Sequence, residues 1–287
     1  MGQMIALVSQ GGGTRGAFTA GVQDVLMREK ITFPYVIGTS AGALNNTDFI
    51  SGDIGRSKVV TTELVKDKKF LSLHNLIHKG GIFDFHYLCD ELPKGKLPFN
   101  REQFDSYNGI FVAVATSLET GEAAYFYKGK TKDIWQGVKA SASIPLLSEP
   151  VKVDGHLYLD GGVSANVPWR KPAEDGADKL VVILTRPLDF RKKLKIDHPI
   201  KSAAKAMYHN YPKFLEAYLN APKAYNKDLE DLNGLVEEGK AFIIGPEVPL
   251  DISSTESDPK KLLPVYHKGV EVMEKLLPDL KEYLTHE

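Results

Sequence analysis

The pentapeptide Gly38-Thr39-Ser40-Ala41-Gly42 has the G-x-S-x-G spacing that places a serine on a sharp turn between a strand and a helix. Gly38 and Gly42 keep side chains out of this crowded turn, so the Ser40 hydroxyl is expected to project from the rim of a sheet. Such a hydroxyl can attack an acyl carbon when a neighbouring base removes its proton. The alternative for Ser40 is a helix cap with no chemical role.

A carboxylate is the best candidate for that base. Asp160 ends a predicted strand and is followed at once by Gly161 and Gly162, which leaves the carboxylate on an open loop beside bare backbone. None of the eight histidines has a comparable setting, and each of them alone is typical of a surface or capping residue. The alternative for Asp160-Gly161-Gly162 is a simple turn.

A second glycine-rich string, Gly11-Gly12-Gly13-Thr14-Arg15-Gly16, follows an apolar run. Successive glycines let backbone N–H groups converge on one point, and the helix that follows adds its positive end. Gly11, Gly12 and Gly13, together with the N–H of Ala41, are therefore candidate donors of an oxyanion hole. Such a hole holds the negative oxygen of a tetrahedral intermediate. A tight turn without a ligand is the alternative.

The same glycines also satisfy the G-x-G-x-x-G fingerprint of dinucleotide-binding proteins. That fingerprint needs an acid about 20 residues further on, yet no Asp or Glu lies between Ile31 and Asn46. No lysine of the Walker type follows Gly16 either, so nucleotide binding is the weaker interpretation. Arg15 is a candidate contact for an anionic substrate group; the alternatives are a solvated side chain or the partner of an acid.

Strands and helices must bring these residues together. Apolar runs predict strands over residues 4–9, 35–38, 110–116, 123–127 and 180–185, and a hairpin over 151–160 that turns at Asp154-Gly155. Helical spacing predicts helices after Gly16 and over 41–49, 53–66 and 132–141. This alternation predicts a mostly parallel sheet covered on both faces. Residues 70–105 show no clear pattern and are a candidate cover over the site.

The pattern changes after residue 188, so we predict a catalytic domain over 1–188 and a mainly helical C-terminal region over 189–287. The basic run Arg191–Lys195, with apolar residues interleaved, is either a solvated linker or a contact for anionic lipid headgroups. Pro212 and Pro264 are predicted to break the helices, and an apolar stripe from Tyr266 to Leu277 is predicted to pack on the core and stop near Pro278. Residues 242–245 are predicted to add an edge strand.

Composition excludes several classes of protein. The 287 residues carry a net charge of −1, so there is no overall attraction to nucleic acid. Cys89 is the only cysteine, so no internal disulfide can form. No His, Cys or acidic residues have the spacing of a metal site, and no cofactor is indicated.

The N-terminal apolar run is too short for a signal peptide or a membrane span, so we expect a soluble, cytoplasmic protein that is at most peripheral at a membrane. No feature indicates the oligomeric state.

The strings G-G-G-x-R-G, G-T-S-A-G and D-G-G, in this order, resemble the patatin-like phospholipase family. Residues 140–145 and the string Asn166-x-Pro168 stand where that family carries similar strings, and the resemblance covers residues 4–187. It implies a three-layer α/β/α sandwich with a mostly parallel central sheet. It also implies a Ser–Asp dyad without histidine, in which Ser40 is the nucleophile, Asp160 is the base and Gly11 to Gly13 form the oxyanion loop.

The activity implied by the resemblance is hydrolysis of carboxylic esters of glycerolipids, of the phospholipase A or lysophospholipase type, without a metal. The expected partners are a glycerolipid or other acyl-ester substrate and, transiently, a membrane surface. The alternative is a catalytically silent protein that binds lipids or acyl groups on the same scaffold, and within the enzymes a serine peptidase is a further candidate.

Overall fold

The computed structural model describes residues 3–72, 74–75, 78 and 80–286, and for Cys89, Asp90 and Pro93 it describes the backbone alone. Within these residues, eight strands form one sheet. Their bounds are Ile5–Ser9 (β1), Tyr35–Thr39 (β2), Ile110–Ser117 (β3), Ala123–Tyr127 (β4), Val151–Val153 (β5), His156–Asp160 (β6), Lys179–Ile183 (β7) and Ala241–Ile244 (β8). In the order β3, β2, β1, β7, β8 the strands lie side by side and run parallel. β4 pairs antiparallel with β3, and β5 and β6 form the predicted hairpin.

The strands that carry Ser40 and Asp160 meet end to end on one edge of β3. β4 pairs with one edge of β3, and β2 and β6 both pair with the opposite edge. Thr39, the last residue of β2, pairs with Val114, and Asp160, the last residue of β6, pairs with Ala115. This register brings Ser40 beside Asp160, although 120 positions separate them in the chain.

Helices cover both faces of the sheet. Their bounds are Gly16–Arg28 (α1), Ala41–Ser51 (α2), Arg56–Thr62 (α3), Arg101–Ser106 (α4), Ile134–Ser141 (α5), Arg170–Glu174 (α6), His198–Met207 (α7), Pro212–Glu237 (α8) and Pro259–Thr285 (α9). Alternate residues of β1 divide between the two faces: Ile5 and Leu7 share a core with α1 and α9, while Ala6 and Val8 share one with α8. The predicted three-layer α/β/α architecture is confirmed.

The strand predictions agree with the structure to within two residues. The prediction that Pro264 breaks a helix and that the apolar stripe stops near Pro278 is wrong. The helix α9 runs through both Pro264 and Pro278, although an internal proline costs about 3 kcal/mol. Close packing on α1 compensates: a Cβ on Gly21 of α1 or on Gly269 of α9 would lie 2.1 Å from a carbonyl oxygen of the other helix. The apolar stripe of α9 packs on the core, as predicted.

Within the stretch 70–105, the described apolar residues from Phe70 to Leu97 form a separate cluster against α3, whereas Phe99 and Phe104 pack on the main core. Phe70, Phe85 and Leu88 are buried there together with Val60 of α3. The helix predicted over 53–66 is the shorter α3 followed by a 3-10 turn at Leu64–Lys66. The cluster forms a wall next to the end of β2, where Ser40 lies.

Candidate active site

Ser40 occupies the turn between β2 and α2 in a backbone conformation that few non-glycine residues adopt. Its φ is 56° and its ψ is −125°, a region that costs on the order of 1–3 kcal/mol. The Ser40 N–H donates to the Ser141 hydroxyl at 2.9 Å, and that hydroxyl donates in turn to the Val114 carbonyl at 2.6 Å. These two hydrogen bonds hold the strained turn against β3.

The glycines on either side of Ser40 are required because there is no space for a side chain. A Cβ on Gly38 would lie 2.6 Å from the carbonyl carbon of Gly42, and a Cβ on Gly42 would lie 2.3 Å from the Ser9 carbonyl oxygen. A larger residue at either position would push α2 away from the strands. The two glycines therefore allow the sharp turn that directs the Ser40 hydroxyl.

Asp160 accepts a hydrogen bond from the Ser40 hydroxyl. Ser40 Oγ donates to Asp160 Oδ2 at 2.7 Å, and the Gly162 N–H donates to Asp160 Oδ1 at 2.7 Å. A Cβ on Gly161 would lie 2.2 Å from the Val114 carbonyl oxygen, so the turn after Asp160 needs glycine there. Both carboxylate oxygens are thus oriented, and Oδ2 lies within proton-transfer distance of Ser40 Oγ.

Burial raises the pKa of Asp160 from 3.8 to about 6. The residue is only 7 % exposed, so the charged carboxylate loses most of its hydration. The hydrogen bonds from Ser40 and Gly162 and the positive charge of Lys192 act in the opposite direction. A carboxylate with a pKa near 6 is ionised at neutral pH and is a stronger base than an exposed aspartate.

The loop after β1 places Gly12 and Gly13 in the same cleft as Ser40 and Asp160. In the described part of the chain, no acceptor is bonded to the N–H groups of Gly12, Gly13 or Ala41, so all three are candidate oxyanion donors. The prediction for Gly11 is wrong, because its N–H donates to the Asn166 carbonyl at 3.0 Å. Gly11 instead allows close packing, since an added Cβ would lie 3.1 Å from the side-chain nitrogen of Asn166.

Ser40 lies between two cavities of different character. One is a narrow slot of about 60 Å³ whose apolar lining includes Leu44, Val60, Val65, Phe70, Phe83 and Phe85. The other is a cleft of about 390 Å³ that also contains Asp160 and is lined in part by Ile196, Ile200, Tyr218 and Pro222. Among the described residues that line these cavities there is no histidine. The slot suits an apolar chain, and the cleft suits the larger remainder of an ester.

Three basic side chains, Arg15, Arg186 and Lys192, line the cleft as well. The structure decides against an acid partner for Arg15, because no carboxylate among the described residues lies within 4.0 Å of it and its Nη1 donates to the Ile252 carbonyl at 3.3 Å. Sequence analysis missed Arg186 and Lys192 as site residues, and it assigned no role to Ser141. Lys192 stood in the basic run Arg191–Lys195 and Ser141 in the string 140–145, whereas no sequence pattern indicated Arg186.

The described side chains do not indicate a metal site. Across the residues that the structure describes, no three His, Cys, Asp or Glu side chains are grouped so that they could hold a metal ion.

The family model described as a patatin-like phospholipase matches residues 7–172, which include Ser40 and Asp160. The chain belongs to the patatin-like phospholipase family. A second model, described as a domain of unknown function (DUF6363), matches residues 211–285, which contain the whole of α8, β8 and α9. The boundary predicted at residue 188 lies between the two matched stretches and stays a prediction.

The matches to individual relatives cover only part of those longer proteins. The chain is 35 % identical over 190 residues to YjjU of Escherichia coli K12, which is 64 % of this chain and 52 % of that protein. It is 29 % identical over 196 residues to the lysophospholipase nte1 of Emericella nidulans, which is 66 % of this chain and 12 % of that protein. The chain therefore spans about half the length of the first relative and about an eighth of the second.

A solved structure supports the fold. VipD from Legionella pneumophila superimposes with a TM-score of 0.56 at 15 % identity, covering 97 % of this chain and 67 % of that protein. At this identity the likeness concerns the fold alone.

Proposed function

We propose that this protein is a serine acyl hydrolase that cleaves carboxylic esters of glycerolipids, of the phospholipase A or lysophospholipase type. The observation that carries the proposal is the 2.7 Å hydrogen bond from Ser40 Oγ to Asp160 Oδ2. Family membership and the relatives named lysophospholipase support the class of substrate.

In the proposed acylation step, Ser40 Oγ attacks the carbonyl carbon of the ester while its proton passes to Asp160 Oδ2. The negative oxygen of the tetrahedral intermediate accepts hydrogen bonds from the N–H groups of Gly12, Gly13 and Ala41. When the intermediate collapses, the bond from carbon to the leaving oxygen breaks, and Asp160 returns the proton to that oxygen.

Deacylation repeats the same steps with water as the nucleophile. Asp160 takes a proton from a water molecule that attacks the acyl-Ser40 ester, and the same oxyanion donors stabilise the second intermediate. The fatty acid leaves, and the proton on Asp160 returns to Ser40 Oγ. Every proton released by a nucleophile is thus transferred to a leaving oxygen, so one carboxylate suffices for both halves of the reaction.

The two cavities divide the substrate between them. The acyl chain enters the apolar slot, because an apolar chain there displaces water from phenylalanine and aliphatic side chains. The alcohol part of the ester occupies the wider cleft, where the basic side chains lie.

Transient membrane contact stays a prediction, with exposed side chains as its support. Leu194 is 65 % exposed and Met207 is 55 % exposed, and exposed basic residues of the run Arg191–Lys195 lie next to Leu194 in sequence. None of the described helices is long and apolar enough to cross a membrane. Flotation of the protein with vesicles, with and without anionic lipid, tests this contact.

Gly12→Ala tests the oxyanion donors. An added Cβ would lie 2.7 Å from Thr185 Oγ1, so the loop must shift. Its N–H groups then no longer point at the position of the oxyanion. We expect kcat to fall by about 100-fold or more, as for the loss of one oxyanion donor. Thr185→Ala removes the atom in closest contact, so the double variant should recover part of the lost activity. Equal activity of Gly12→Ala and wild type would contradict the assignment.

The proposed function itself is tested with p-nitrophenyl butyrate, diacyl and monoacyl phospholipids, and a peptide substrate, each incubated with purified protein. We expect release of p-nitrophenol and of fatty acid, and no peptide cleavage. Binding of lipid without turnover of any ester would favour the catalytically silent alternative.

A further inference from the structure

The cleft beside Ser40 contains an unbalanced cluster of positive charge. Arg15, Arg186 and Lys192 all line it, and among its described lining residues Asp160 alone is acidic. Asp160 is engaged by Ser40 and Gly162, and no carboxylate of the described residues lies within 4.0 Å of any of the three cations. Among the residues that the structure describes, the cluster therefore has no carboxylate in ion-pair contact.

The three cations lie within each other's electrostatic field. Burial, together with the positive charges of Arg186 and Arg15, lowers the pKa of Lys192 to about 8, against a smaller opposite effect of Asp160. Burial and the charge of Arg186 likewise lower the pKa of Arg15 to about 10. Like charges held together in a partly dry cleft repel each other, and an anion bound between them would relieve that repulsion.

Contacts with uncharged groups hold the cations in place. The guanidinium of Arg186 lies 4.1 Å from the centre of the Phe190 ring, and Lys192 Nζ lies 4.2 Å from the centre of the Tyr225 ring. The backbone of Lys192 is fixed by two hydrogen bonds with the Asn226 side chain, at 2.7 and 2.9 Å. Because no acid anchors these side chains, their N–H groups remain available to a ligand.

Arg15 has a donor that is both buried and unpartnered. Its Nη1 bonds the Ile252 carbonyl, whereas its Nε is shielded from solvent and has no hydrogen-bond partner. An unsatisfied buried donor is costly. Guanidinium groups bind phosphate oxygens through charge-assisted hydrogen bonds, so the chemistry of the cluster fits phosphate.

We propose that Arg15, Arg186 and Lys192 form a phosphate subsite that selects anionic glycerophospholipids, with the acyl ester at Ser40 and the phosphate in the cleft. This proposal rests on the proposed function and adds the head-group class to it. A choline head group is disfavoured, because its cation would enter a positive field and the Tyr225 ring is already covered by Lys192. Phosphatidate-like substrates, whose phosphate carries no counter-charge, fit best.

The test compares matched short-chain esters below their micelle concentration, so that surface binding does not contribute. The pair is 1-hexanoylglycerol 3-phosphate and 1-hexanoylglycerol, with hexanoyl lysophosphatidylcholine as a third substrate. We expect wild type to prefer the phosphate monoester. In Arg186→Gln and Lys192→Gln, the ratio of kcat/KM for the phosphorylated ester over the neutral one should fall by about 10- to 100-fold, mainly through KM. Lys193→Gln, at the exposed neighbouring position, should leave the ratio unchanged.

The ratio of kcat/KM for the two esters is not affected by a second role of Lys192. Its charge lowers the pKa of Asp160, so Lys192→Gln also changes the base, but that change affects both esters equally. A ratio that stays at the wild-type value in both variants, or a wild type that hydrolyses all three esters alike, would overturn the subsite. Failure of the proposed function has a different result, since then neither the neutral nor the phosphorylated ester is hydrolysed.

Free phosphate is the other source of the same chemistry. Inorganic phosphate and glycerol 3-phosphate are added to wild type during hydrolysis of 1-hexanoylglycerol. Competitive inhibition by glycerol 3-phosphate that weakens in Arg186→Gln supports a lipid head-group site. A change in turnover caused by inorganic phosphate, combined with no preference between phosphorylated and neutral esters, would overturn the head-group assignment in favour of a site for free phosphate.

Discussion

Ser40→Ala is expected to lower kcat for p-nitrophenyl butyrate by at least about 10⁴-fold, which is typical of the loss of a nucleophile. Alanine removes Oγ, so no acyl-enzyme can form and water must attack the bound ester directly. The oxyanion donors and the two cavities remain in this variant, so weak residual activity and normal substrate binding are expected. Progress curves at high enzyme concentration measure the residual rate.

Ser254→Ala is the matched control for this prediction. Ser254 lines the same cleft, and its carbonyl accepts a hydrogen bond from the Thr14 N–H, which the substitution keeps. We expect activity close to that of wild type. A Ser40→Ala variant with comparable activity would show that another group attacks the ester.

Asp160→Asn is expected to lower kcat by about 10²- to 10⁴-fold, the usual contribution of a general base. The amide is close in shape to the carboxylate and can still accept a hydrogen bond from the Gly162 N–H, but it cannot take the Ser40 proton. In wild type, kcat/KM should fall tenfold for each pH unit below about 6, where Asp160 becomes protonated. A pH profile that stays flat down to pH 5 would contradict the role of this carboxylate.

The same substitution is expected to stabilise the fold at pH 8. The pKa of Asp160 is about 6 in the folded protein against an ordinary value of 3.8, so folding takes up a proton between these values. As pH rises through that window the ionised, buried carboxylate costs up to about 3 kcal/mol, and Asp160→Asn removes the cost. Urea unfolding should therefore show a higher midpoint for the variant at pH 8 and a much smaller difference near pH 4.

Asp154→Asn controls for the loss of one negative charge. Asp154 is exposed in the turn of the β5–β6 hairpin, so its substitution should change stability by no more than about 0.5 kcal/mol. An Asp160→Asn variant that is less stable than wild type at pH 8 would mean that the ionised carboxylate stabilises the folded state.

Sequence patterns could indicate Ser40 and Asp160 as candidate site residues because each lies in a local string. A serine between spaced glycines and an aspartate before two glycines are short strings whose chemistry follows from residue type. The short distance between Ser40 and Asp160 depends on strand register, because Thr39 pairs with Val114 and Asp160 pairs with Ala115. The strands could be predicted from apolar runs, but no local pattern determines which residues pair across 120 positions.

Long-range contacts also explain what sequence analysis missed. Gly11 fits the oxyanion motif, yet its N–H is bonded by Asn166, which lies more than 150 positions away. The prolines of α9 follow a local rule that packing on α1 overrides. Lys192 belongs to a basic run typical of a linker, and it reaches the cleft only because Asn226 and Tyr225 of α8 hold it there.

Labelling with a fluorophosphonate tests the central claim most directly, because the reagent phosphonylates only a serine that a neighbouring base activates. Intact-mass and peptide mapping of wild type should find one adduct, on Ser40, while Ser40→Ala takes up none and Asp160→Asn reacts far more slowly. An adduct on a different residue, or equal labelling of wild type and Ser40→Ala, would contradict the assignment of Ser40 as the nucleophile.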